Sequence, residues 1–263
     1  MGRDFEGRVA IVTGSAKGIG AATALALASQ GAKVVVNYNI SKDSAEATLD
    51  LIRKVGAEAL AVQGNVAEEA DCQRIFDTAF AAWGRVDILV NNAGTTKFAD
   101  HRDVAALSPA DFAEIYAVNV TGAYSMTKVA FAALQASGDG AIVNISSIAG
   151  LYGVGSSVAY AASKGALNTM TYAMARAYAP QIRVNAVCPG FVATDWFGSR
   201  FGAEAAVKIT ALQRNLAPLK RTAGAEDIAK AVCFLAGPNA SCITGETLLV
   251  DAGLHLGGDP APH

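Results

Sequence analysis

Short β-branched runs alternate with longer alanine-rich stretches of helical period along the whole chain. VAIV (9–12), KVVV (33–36), ALAV (59–62), DILV (87–90), AIVNI (141–145), IRVNAV (182–187) and ETLLV (246–250) predict about seven strands. Between them lie helical stretches such as GIGAATALALASQ, SAEATLDLIRKVG, AEEADCQRIFDTAFAAWG and residues 158–178. SPADFAEIYAVNVTGAYSMTKVAFAALQ opens with Ser108 as an N-cap, Pro109 at the first helical position and an acid at Asp111. The strands are continuously apolar rather than alternating, which indicates burial on both faces. Strand–helix alternation with that burial predicts an α/β fold: a doubly wound parallel sheet with helices on both faces. With no linker or composition shift, one domain is expected over residues 1–263. The least regular long segment, at about 190–224, follows the sixth strand and carries Trp196, Phe197, Phe201, Leu212 and Leu216, with Lys208, Arg214 and Lys220. Ligands sit outside the carboxyl ends of such strands, so this segment is expected to be a substrate lid.

Composition narrows the function classes. A net charge of −2 and a pI near 5.9 give no electrostatic reason to expect nucleic acid or an anionic membrane surface. No run approaches the ~18 apolar residues of a spanning helix, and charges interrupt the opening MGRDFEGRVAIVTG, so a cytoplasmic protein is expected. Cys72, Cys188, Cys233 and Cys242 form no CxxC pair, and the histidines are only His101, His255 and His263, so no metal site is expected. The mean hydropathy of +0.31 is high for such a chain, and 55 alanines account for much of it.

Candidate chemistry begins at the first strand, which runs into TGSAKGIG. Gly14, Gly18 and Gly20, with Ser15, Lys17 and Ile19, would allow a tight turn and let a pyrophosphate approach the helix N-terminus. Alone, such a turn also suits a methyltransferase or a structural bend. YAASK places Tyr160 and Lys164 four residues apart on one helix face. An ammonium there is expected to lower the phenol pKa from ~10 and make it a usable acid or base, although most such pairs are solvated helix surface. NNAG, with Asn92, Ala93 and Gly94, ends the fourth strand; Asn119 lies in YAVNVTG; Ser147 ends the fifth strand thirteen residues before Tyr160. PGFVAT, with Pro189, Gly190, Val192 and Thr194, follows the sixth.

In that order, TGxxxGxG, NNAG, Asn119, Ser147, YxxxK and PGxxxT resemble the short-chain dehydrogenase/reductase family from Arg8 to about Gly253. The overall pattern is similar to its 3-oxoacyl-carrier-protein reductases and its polyol or sugar dehydrogenases. The resemblance implies strand order 3-2-1-4-5-6-7, a nicotinamide hydride transfer between a small carbonyl compound and its alcohol, and a tetrad of Asn119, Ser147, Tyr160 and Lys164. In it Tyr160 moves the proton, Ser147 stabilises the reacting oxygen, and Lys164 tunes the phenol and holds ribose hydroxyls. Asn119, at a distortion of its helix, holds a water leading to the lysine. The thirteen-residue spacing selects Ser147 over Ser146, and Tyr152 is a second phenol that could face substrate.

At the end of the second strand Asn37, Tyr38, Asn39 and Ser41 stand where an acid would bind the ribose 2′-OH of NAD. Lys17 is placed to meet a 2′-phosphate, so NADP(H) is expected over NAD(H). Asn65 takes the adenine position, with Val66 beside the ring, and Val192 is the backbone candidate for the carboxamide. The family resemblance also makes the sparsely charged helices near 113–136 and 158–179 subunit contacts, which implies a homotetramer. The competing readings are an NAD-dependent polyol or sugar dehydrogenase, a nucleotide-binding regulatory protein without turnover, and a methyltransferase, which has no use for YxxxK with Ser147.

Overall fold

The computed structural model describes residues 3–193 and 202–257. Seven strands form one parallel sheet: β1 (Val9–Val12), β2 (Lys33–Tyr38), β3 (Ala59–Gln63), β4 (Ile88–Asn91), β5 (Gly140–Ile145), β6 (Ile182–Pro189) and β7 (Thr247–Val250). Their order is β3-β2-β1-β4-β5-β6-β7, as the resemblance implies. Successive side chains of a strand point to opposite faces, and the sheet uses this to build two cores. Ala10, Val12, Val34, Val36, Val90 and Val143 belong to one, under α1 (Gly18–Ser29), α2 (Lys42–Lys54) and the last long helix. Val9, Ile11, Val35, Leu89, Ile142 and Val184 belong to the other, under α3 (Glu69–Trp83) and the helices after β4 and β5.

The predicted helix from Ser108 is one rod in three parts: α4 (Pro109–Tyr116), a π-helical segment Ala117–Gly122, and α5 (Ala123–Ala136). Ser108 and Asp111 close a capping box at its start. A four-residue turn, α6 (Ala149–Tyr152), leads into α7 (Val158–Tyr178), whose bounds match the expected ones. Strand β6 runs two residues past the predicted end, through Cys188 and Pro189, because β7 continues to pair with it there.

The segment after β6 is less irregular than its sequence suggests. Residues 203–216 form a fourteen-residue helix, α8 (Ala203–Leu216), entered from Gly202 at φ +80°. Its apolar positions are spread among charges, and the glycine and aromatic run before it hides its start. Trp196, Phe197 and Phe201 of the expected lid, and Thr194, lie outside the described residues. The long helix α9 (Ala225–Ala236) then packs beside α1.

Candidate active site

The carboxyl ends of β1, β2, β4, β5 and β6 open onto one cleft of ≈ 2360 Å³, whose lining includes Gly14, Lys17, Asn39, Gly94, Ser147, Tyr160, Lys164 and Gly190. The loop after β1 is built on close approach. Gly14 sits at φ +59°, and a Cβ on it would lie 2.9 Å from the Ala93 Cα. A Cβ on Gly20 would lie 2.5 Å from Asn92 Nδ2 and 2.6 Å from the Gly14 carbonyl. Lys17 is the N-cap of α1 and gives no side-chain cap, and the first turn carries no acid. The helix therefore presents free N–H groups and a positive dipole end to the cleft.

Three of the expected nucleotide ligands turn out to hold this loop in shape. Asn37 is 1% exposed. Its Oδ1 accepts from the Gly14 N–H at 3.0 Å, and its Nδ2 donates to the carbonyls of Val62 and Gly64 at 3.2 and 3.0 Å. Its amide is used up inside the protein, so it anchors the loop instead of facing a ribose. Ser15 is buried, donates to Val12 O at 2.6 Å and accepts from the Asn37 N–H at 3.1 Å. Asn92 Nδ2 donates to the carbonyls of Thr13 and Gly14 at 2.8 and 2.9 Å. Tyr38 is also buried, whereas Lys17 and Asn39 are exposed and Ser41 partly so, all three on the cleft. Asn65 Oδ1 accepts from the Ala67 N–H at 3.1 Å, a local turn that holds Val66 beside Gly122 of the π segment.

Tyr160 and Lys164 are positioned by α7. Ser157 caps the helix by accepting from the Tyr160 N–H at 3.2 Å. Gly150 of α6 lets that turn pack on α7, since a Cβ there would lie 2.5 Å from the Lys164 carbonyl carbon. The Ser147 side chain sits beside the Tyr160 phenol, near enough to favour its ionised form. Ser146 instead donates to the Lys164 carbonyl at 3.2 Å and is buried, so the two adjacent serines have separate tasks. Lys164 Nζ lies 5.6 Å from the Tyr160 ring centroid and donates to the Ile145 carbonyl at 2.8 Å.

Asn119 sits in the π segment, at the helix distortion expected for it. Its Oδ1 accepts from the Thr95 N–H at 2.8 Å, and its Nδ2 donates to Thr95 O and Ser163 Oγ, each at 3.0 Å. Ser163 donates in turn to the Tyr160 carbonyl at 2.7 Å. A Cβ on Gly94 would lie 3.4 Å from Asn119 Oδ1 and 3.7 Å from Lys164 Nζ. Asn119 thus ties the end of β4 to the helix bearing Tyr160.

The electrostatics differ from the expectation for a bare Tyr–Lys pair. Burial pushes the Tyr160 phenol up to about 12, and the neighbouring Ser147 side chain only partly offsets this. Burial also brings the Lys164 ammonium down to about 8. For both groups burial is the largest influence, and it disfavours the charged form of each.

Sequence reasoning missed the buried ladder beneath the site. Asn91 Nδ2 donates to Asn144 Oδ1 at 2.9 Å, and Asn144 Nδ2 donates to Thr171 Oγ1 at 2.9 Å. These polar residues at the ends of two apolar strands were the available signal. No helix among the described residues is long and apolar enough to cross a membrane.

A family model described as enoyl-(acyl carrier protein) reductase matches residues 14–255. A protein designated as ketoacyl reductase 2 of the granaticin polyketide synthase of Streptomyces violaceoruber is 44% identical over 252 residues, covering 95% of this chain and 97% of that one. A 3-oxoacyl-[acyl-carrier-protein] reductase of Synechocystis is 39% identical, covering 94% and 96%. A crystal structure described as a short-chain dehydrogenase/reductase from Burkholderia xenovorans superimposes with a TM-score of 0.88 at 39% identity, covering 95% and 98%. Fold, motif order and relatives agree: the chain is an oxidoreductase of the short-chain dehydrogenase/reductase family.

Proposed function

We propose that the chain is an NADP(H)-dependent carbonyl reductase, interconverting a ketone or aldehyde and its alcohol, with Tyr160 as general acid and base. One observation carries the reading: Ser147, Tyr160 and Lys164 line the same cleft, with Asn119 buried just behind it at Gly94. The residues present fit a dinucleotide. Gly14, Gly18 and Gly20 lead into an uncapped, acid-free helix start, and the cleft is long enough for both substrate and cofactor. Pro189, Gly190 and Val192 line the other end, with Val192 nearly buried. When bound, the cofactor supplies or accepts the hydride.

The chain's own residues do the rest. Ser147 donates to the substrate oxygen and stabilises the charge that develops on it. Tyr160 gives that oxygen its proton in reduction and takes it back in oxidation. Lys164 holds positive charge beside the phenol and offers further N–H donors to ribose hydroxyls. Because the Asn119 side chain is committed to Thr95 and Ser163, the water leading to Lys164 is held by the main chain of the π segment.

The preference for NADP(H) rests on Lys17 and on Asn39, Ile40, Ser41 and Leu51, which line that end of the cleft without a carboxylate. Relatives named as ketoacyl and 3-oxoacyl reductases make 3-oxoacyl thioesters the first substrates to try. Half-exposed Tyr124 on α5, with Val158 and Tyr172 on α7, supports a homotetramer built through these helices. The proposal also takes the chain as a single cytoplasmic domain with a lid at about 190–224. The deciding experiment is an NADPH-consumption screen over ketones, aldehydes and 3-oxoacyl thioesters, repeated with NADH. Turnover favouring NADPH is expected; NADPH binding with no turnover across the panel would leave a nucleotide-binding protein instead.

A further inference from the structure

The segment after β7 carries a polar cluster that the proton-transfer machinery leaves unused. Asp251 is buried, and its Oδ1 accepts from the Gly253 N–H at 2.9 Å. Its Oδ2 accepts from the His255 N–H at 2.8 Å, and His255 Nδ1 lies 2.8 Å from the same oxygen. A carboxylate only accepts, so Nδ1 carries the proton that faces Asp251, and in the neutral ring this leaves a lone pair outward on Nε2. The Asp251 position is fixed from below, because Gly190 approaches so closely that a Cβ there would lie 2.5 Å from Asp251 Cβ.

The two backbone N–H groups would hold this turn without any imidazole at 255. The ring has a different setting. It stacks on Tyr152 with centroids 5.8 Å apart and planes 18° from parallel. Both rings line the cleft that contains Tyr160, and no described residue partners His255 Nε2. Tyr152 is half exposed, so the stacked pair offers aromatic surface to the cleft with the Nε2 edge of the imidazole beside it.

We propose that Tyr152 and His255 form a substrate subsite that selects ketones on a planar ring bearing a hydroxyl away from the reacting carbonyl. The ring lies along Tyr152, and the hydroxyl donates to His255 Nε2, which Asp251 orients. The proposal rests on the carbonyl-reductase reading, and deepens it by naming the substrate class.

The test compares tetralone with its ring-hydroxylated derivatives in NADPH-coupled turnover. In parallel, naphthol and dihydroxynaphthalenes, which need no turnover, are titrated calorimetrically into the protein. For at least one ring position, wild type is expected to favour the hydroxylated compound by roughly three- to tenfold, mostly in KM, as one net hydrogen bond allows. His255→Phe keeps a ring on Tyr152 and should bring the ratio to near one; His255→Gln restores an acceptor and should recover part of it. Equal binding of hydroxylated and plain compounds by wild type would overturn the subsite. So would a ratio unchanged in His255→Phe, or one lost equally in both variants. If wild type reduces no tetralone, the naphthol titrations alone decide the subsite, and the carbonyl-reductase reading is decided by the wider substrate panel.

Discussion

Lys164 is an ammonium group that folding has taken out of water with no carboxylate beside it among the described residues, so replacing it should make the protein more stable. It is 3% exposed, and burial lowers its pKa from 10.5 to about 8. A displacement of that size costs the folded state about 3 kcal/mol at pH 7. In Lys164→Met an apolar chain of similar length fills the site and the cost disappears. The Ile145 carbonyl loses its 2.8 Å donor, which takes back about 1.5 kcal/mol. The net gain is roughly 1.5 kcal/mol, or about 3–6 °C in Tm for a chain of this size.

The pH dependence identifies the cause. Between pH 8 and 10.5 the unfolded chain binds the lysine proton and the folded chain has released it, so wild-type stability from this group rises with pH across that window. By pH 10 the cost has shrunk to about 1 kcal/mol, and the variant's advantage should be gone. Thermal melts of wild type and Lys164→Met at pH 7 and pH 10 measure the difference directly. A variant no more stable than wild type at pH 7, or an advantage that persists at pH 10, would refute the reasoning.

Other outcomes follow from the same geometry. Tyr160→Phe should lower NADPH-dependent turnover by about 10²–10⁴-fold while fluorescence titration still shows NADPH binding; near wild-type turnover would remove Tyr160 from the mechanism. Lys17→Glu should raise the KM for NADPH about tenfold or more and leave that for NADH much less affected, as steady-state kinetics with both cofactors would reveal. Gly20→Ala forces a methyl against Asn92 and the Gly14 carbonyl and should cost about 1–3 kcal/mol in urea melts. Lys97 and the Ser108 cap hold the Asp111 carboxyl down at about 2, so the stability it contributes is present above pH 4 and fades as pH falls through 2. An NMR titration should find that low pKa, and Lys97→Ala should raise it.

The strands were legible because residues 9–12, 33–36 and 141–145 are apolar on both faces, which a covered parallel sheet accepts, whereas their order was implied by the family resemblance. That Ser147, Tyr160 and Lys164 meet at one cleft was legible because they sit at a strand end and four residues apart on one helix. What the chain did not disclose is how polar side chains spend their hydrogen bonds. Asn37 and Asn39 look alike in KVVVNYNIS, yet one is sealed beneath the glycine loop and the other is exposed on the cleft. That division depends on the Gly14 and Gly64 backbones, 23 and 27 residues away in sequence. The phenol pKa was misjudged for a similar reason: the i,i+4 spacing predicts a neighbour but not the desolvation of both partners. Helix α8 was hidden because charged residues interrupt its apolar positions.

The π segment at Ala117–Gly122 has a further meaning for how this chain tolerates changes in length. Such a turn is an α-helix that has absorbed one surplus residue while its flanks keep their faces. Elsewhere in a packed helix, removing one residue turns everything beyond it by about 100° and strips the core. Here, shortening the chain by one residue would let α4 and α5 join as a regular helix with both apolar faces still in place. The loss would fall on Asn119, whose amide would swing away from Thr95 and Ser163. In this rod the chain length sets where Asn119 points more than whether the helix forms: the extra residue keeps its amide on Thr95 and Ser163.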